Sequence, residues 1–123
     1  MTPQDFEKVF FDRVSKSEAT LIAKAKEYAS GTDRFNNFKK AAAFRSCTPE
    51  NALWGMVSKH LVALSDFIDQ LEAGEDVPEA QWDEKLGDSI NYLILLDGLL
   101  EERRFAQASA FKHPLNGFGL GEK

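Results

Sequence analysis

WDEKLGDSINYLILLDGLL, Trp82 to Leu100, is the stretch on which the fold turns. Eight of the twelve residues after Asp88 are large and apolar or aromatic, which predicts a central helix touched by neighbours on most sides. At about 100° per residue, Leu86, Ile90, Leu93, Ile94 and Leu100 form one broad apolar face. Glu84, Asp88 and Asn91 fall together on the opposite side, at steps of four and three residues. Two carboxylates and an amide are costly to bury without partners. The stripe is therefore either a solvated face, with an acid pairing to Lys85 or another base, or a metal or nucleotide site.

Upstream, Glu72 to Pro78 is an acidic turn punctuated by Gly74 and Pro78. It joins the central helix to an antiparallel neighbour that opens at Thr48-Pro49 and runs to about Leu71. Leu53, Val57, Leu61, Leu64, Ile68 and Leu71 line the apolar arc of that neighbour. His60 falls inside the arc and Lys59 near its polar back. A histidine so placed is either a hydrogen-bonded core residue or a group that meets phosphate or moves a proton.

Before it, Thr32 or Asp33 caps a short helix through Phe44, with Phe35 and Phe38 turned inward. Arg34 and Asn37, three residues apart, share the neighbouring face. Arginine is a fork for phosphate or carboxylate and asparagine reads a base or ribose edge, though either also braces a turn. The N-terminal helix starts at Thr2-Pro3, continues through Phe6, Phe10, Val14 and Leu21, and closes at Gly31. Ser15-Lys16-Ser17 leaves open one bent helix or two collinear ones. Lys24 and Lys26 suit its carboxyl end, and Tyr28 either stacks on a base or fills the core.

The whole is an all-α protein, a compact helical bundle of four to five helices in a single domain over residues 1–123. An irregular, glycine-rich tail over 106–123 is held down by apolar contacts, and the chain is expected to be a homo-oligomer. The net charge of −5 disfavours binding to a nucleic acid polymer. Neither a membrane span nor a secretory leader is expected. The lone Cys47 forms no internal disulfide and points to a reducing, cytoplasmic setting.

KEYASGTDRFNNFKKAA (Lys26 to Ala42), a tryptophan-containing helix with Lys59-His60, and EKLGDSINYLILL (Glu84 to Leu96) come in that order. Together they resemble the phage and bacterial nucleotide-modification-associated domain family, related to the MazG-like all-α nucleotide pyrophosphohydrolases. The resemblance covers about Leu21 to Glu102. It implies an oligomeric bundle that handles a nucleotide, in the cytoplasm of the bacterial host if the source is a phage. In MazG-like enzymes, acidic motifs on two helices bind magnesium. Here Glu84 and Asp88 stand near the second motif, spaced by four rather than three, while Ser58-Lys59-His60-Leu61 replaces the first.

Three readings follow. In one, the chain binds or sequesters a nucleotide, such as a signalling nucleotide of host defence. Arg34, Lys59, His60 and Lys24 or Lys26 then meet phosphate without metal, while Asn37 and Asn91 read polar edges. In another, it is a magnesium-dependent nucleoside triphosphate pyrophosphohydrolase with a reduced site. Glu84 and Asp88 then hold the ion and His60 assists as a catalytic group. In the third, it is a helical interaction protein whose polar stripe meets only water or a partner.

Overall fold

The computed structural model describes residues 1–23 and 33–111. Its elements are α1 (Pro3–Glu18), a π-helical turn (Ala19–Ala23), α2 (Asn36–Arg45), α3 (Pro49–Glu72) and α4 (Glu79–Phe111). No strand occurs among the described residues, and the all-α bundle is the fold. None of these helices is long and apolar enough to cross a membrane.

Local chemistry sets the boundaries. The Thr2 hydroxyl accepts from the Asp5 backbone N–H at 3.1 Å, and the Asp5 carboxylate accepts from the Thr2 N–H at 3.0 Å. This reciprocal cap, with Pro3 in the first turn, starts α1. The helix runs unbroken through Ser15-Lys16-Ser17, so no restart occurs there. At α3, the Thr48 hydroxyl accepts from the Asn51 N–H at 3.1 Å, and the helix continues to Glu72.

Before α2, Asp33 shapes the turn by accepting from the Phe35 N–H at 2.9 Å, while Phe35 itself occupies the cap position. α4 extends beyond Arg104 to Phe111, past the point where the irregular tail was expected. Ala106, Gln107, Ala108 and Ala110 favour helix, and Pro114 and the glycines come only later. Residues 112–123 lie outside the described residues, as do Lys24, Lys26, Tyr28 and Gly31.

The core forms where α2 crosses the α3–α4 pair. Phe38, Leu53 and Leu99 are buried together, and Phe35, Met56, Tyr92, Leu95 and Leu96 pack around them. Burial of a side chain such as Leu53 or Leu99 is worth about 1.5–3 kcal/mol. Gly98 makes the crossing close: a Cβ there would lie 2.7 Å from the tip of the Phe35 ring. Ion pairs brace the same crossing. Lys39 bridges Asp33 and Glu102, and the two oxygens of Glu50 accept from Arg103 at 2.8 and 3.2 Å. At the far end of the pair, Phe67 meets Trp82 edge-on, with ring centroids 5.2 Å apart.

The broad apolar face expected to make α4 central is largely uncovered. Leu86, Leu93, Ile94 and Leu100 are exposed, while Leu99 is buried and Tyr92, Leu95 and Leu96 pack against the core. α4 is apolar on much of its circumference, so two arcs compete and only tertiary packing selects one. Trp54, Leu61 and Ile68 form a matching exposed row on α3. In an antiparallel pair, the handedness of the two helices brings these rows to one side, opposite α1 and α2.

Candidate functional site

On the covered side of the pair, two cavities open between the end of α1, the start of α2 and α4. The first, about 430 Å³, is lined by Thr20, Leu21, Asp33, Arg34, Asn36, Asn37, Phe38, Met56, Asp88, Asn91, Tyr92 and Leu95. Its floor is apolar and aromatic, and its rim carries the α2 amides and Arg34. Arg34 has no ion-pair partner among the described residues. Asp33 is occupied: Lys39 and the Phe35 N–H donate to it, and these bonds hold its carboxyl below the usual range.

The second cavity, about 410 Å³, is polar and is lined by Arg13, Lys16, Ser17, Ala19, Thr20, Asp83, Glu84, Gly87, Asp88 and Asn91. Lys16 and Arg13 both donate to Asp83, which keeps the Asp83 carboxyl below the usual carboxylate range. The same contact, with one to Asp12, raises Lys16. Gly87 makes room for this clasp, since a Cβ there would lie 2.8 Å from an Arg13 guanidinium nitrogen. Thr20, Asp88 and Asn91 line both cavities, so the two are parts of one groove.

The stripe of Glu84, Asp88 and Asn91 does share one face and one cavity, with Glu84 the most exposed of the three. Arg34 and Asn37 meet in the other cavity. Lys59 is exposed and lines neither. His60 also lines neither; it reaches the groove only through Asp88, whose carboxylate lies 3.8 Å from the His60 Nδ1. That distance is too long for a hydrogen bond, and the Nδ1 is buried without a partner among the described residues. Tyr92 packs on the imidazole, ring centroids 5.4 Å apart. Burial, and then the Asp88 charge, pushes the Tyr92 hydroxyl pKa up.

Glu84 and Asp88 stand one turn apart on the same cavity. This donor set suits a magnesium ion that keeps water or phosphate ligands, rather than a closed protein cage. Among the described residues, no three His, Cys, Asp or Glu side chains converge as a metal cluster.

The sequence reading passed over Arg13, Lys16, Thr20, Asn36 and Tyr92. A signal for the first three existed: positions 13, 16, 17 and 20 make one polar stripe on a phenylalanine-rich helix. Comparison with protein-family models, with curated proteins and with solved structures gives no match.

Proposed function

We propose that the chain is a nucleotide-binding protein whose ligand lies along the groove between α1, α2 and α4. The composition of the groove carries the reading. One end offers an apolar and aromatic floor with amides at its rim, which suits a base. The other end offers Arg13, Lys16, Ser17 and Thr20, which suit phosphate. Tyr92 and Phe38 contribute apolar contact, Asn36 and Asn37 read the base edge, and Arg34 meets an anionic or carbonyl group. A role in sequestering a signalling nucleotide in the cytoplasm of a phage-infected bacterium belongs to this reading through the resemblance described above.

A second reading is favoured by one observation: Glu84 and Asp88 share a cavity with Arg13 and Lys16. It is a MazG-like nucleoside triphosphate pyrophosphohydrolase. Bound magnesium would supply charge neutralisation and an activated water; Glu84 and Asp88 would hold it, and the basic pair would orient the phosphates.

Homo-oligomerisation is part of the proposal. Trp54, Leu61 and Ile68 on α3, and Leu86, Leu93 and Leu100 on α4, recur every seven residues and are 37–50% exposed. Such rows pair with a second copy as a four-helix seam. Leu93→Glu is expected to turn an oligomer into a monomer in sedimentation with helicity unchanged; an unaltered oligomer would place the seam elsewhere.

The deciding experiment incubates the protein with nucleoside triphosphates and cyclic nucleotides, with and without magnesium. Products and heat-released ligand are then separated by chromatography. Intact ligand recovered only on denaturation supports binding. Magnesium-dependent products lost in Glu84→Gln and Asp88→Asn support the hydrolase. Neither result with any nucleotide removes both readings.

A further inference from the structure

The two cavities meet at Thr20, Asp88 and Asn91, which line both. Two of these residues carry oxygen acceptors that no donor among the described residues hydrogen-bonds. The Asn91 side-chain oxygen is buried, and no donor among the described residues reaches it. The Asp88 carboxylate is 43% exposed and, among the described residues, has only the His60 Nδ1 nearby, at 3.8 Å. A buried amide oxygen without a donor, beside an open carboxylate at the waist of a groove, suits a ligand that brings donors to that point.

We infer that Asp88 and Asn91 together recognise the vicinal diol of a ribose, so that the site prefers ribonucleotides to 2′-deoxyribonucleotides. This inference rests on the nucleotide reading and extends it. If the base occupies the apolar cavity and the phosphates the basic one, the sugar crosses the junction. Ribose presents two adjacent hydroxyl donors there, matching the carboxylate and the amide oxygen. The Thr20 hydroxyl, able to donate or accept, adapts to either sugar pucker. A 2′-deoxy sugar satisfies one acceptor and leaves the other unpaired. Sites built to bond a hydroxyl reject the analogue that lacks it for this reason.

The test is calorimetric titration with ribonucleoside triphosphates and their 2′-deoxy counterparts, in magnesium and in EDTA. The proteins are the wild type, Asn91→Ala and Asn91→Asp, each checked for helicity. The expected result is that at least one ribonucleotide binds on the order of tenfold more tightly than its deoxy twin, in both buffers. Asn91→Ala is expected to weaken only the ribonucleotide, and Asn91→Asp, which keeps an acceptor oxygen, to retain the ratio. Equal wild-type affinities for the two sugars overturn the diol assignment while the nucleotide site stands. So does an equal loss for both sugars in Asn91→Ala, or a preference confined to magnesium. Absence of all binding overturns the nucleotide reading and this inference with it.

Discussion

α1 lies against α4, while α2 packs chiefly on α3 and reaches α4 through Phe38, Lys39 and the preceding Phe35; the two are held by different physics. α2 buries Phe38 and Ala42 and wedges Phe35 against Gly98. α1 buries only Ser17, leaves Phe6, Phe10 and Phe11 more than half exposed, and is clasped through Arg13 and Lys16 on Asp83. Buried apolar contact resists opening; exposed ion pairs contribute little and are screened by salt. One wall of the groove is therefore fixed and the other is lightly held. In the proposed function, α2 presents a rigid base site and α1 supplies a phosphate wall that opens to admit ligand.

The largest effect is expected at Phe38. Phe38→Ala removes a ring from the centre of the core and is expected to cost about 3–5 kcal/mol, seen as a large drop in the thermal midpoint. A smaller effect is expected at Gly98. Ala is the better helix former by about 1 kcal/mol, but its methyl meets the Phe35 ring, and overpacking costs about 1–3 kcal/mol. Gly98→Ala should therefore destabilise or, at best, leave stability unchanged. Gly87→Ala should be the milder of the two in urea unfolding, because the flexible Arg13 tip can move aside.

Asp83→Asn removes the charge that clasps α1. Global unfolding should barely move, while hydrogen exchange in α1 speeds up selectively. Uniform exchange across α1 and α2 would show that the clasp is not what holds α1. The smallest effect is that of pH. The Asp83 carboxyl is held below its ordinary value, so its contribution is complete above about pH 4 and fades as pH falls through the lowered folded value. Amide NMR shifts around Arg13 and Ser17 should stay constant from neutrality down to that range and move below it.

The parts legible from sequence were those written in local chemistry. Thr2-Pro3 and Thr48-Pro49 announce helix starts through a hydroxyl cap and a proline, and the structure begins helices at both. The shared face of Glu84, Asp88 and Asn91 follows from spacing alone. What spacing cannot supply is which arc of a nearly all-apolar helix turns inward, and so the outward row on α4 was unforeseen. The clasp was illegible for the same reason: Arg13 and Asp83 are seventy residues apart, and each alone looks like an ordinary surface charge. His60 was legible as a residue on the apolar arc, but its distance from the cavity depends on Asp88 and Tyr92 standing in front of it.

The short turn from Ala73 to Pro78 has a consequence for synthesis. It brings α3 and α4 together as a hairpin of neighbours in sequence, a pairing that closes quickly because its loop is small. α1 is made before that hairpin, and its anchor Asp83 comes seventy residues after Arg13. On the ribosome, Arg13 and Lys16 must wait for Asp83 while the hairpin that receives α1 is still being assembled. α1 is thus translated ahead of the hairpin that receives it, and its phenylalanines, more than half exposed even after docking, offer a surface to a chaperone that escorts the nascent chain.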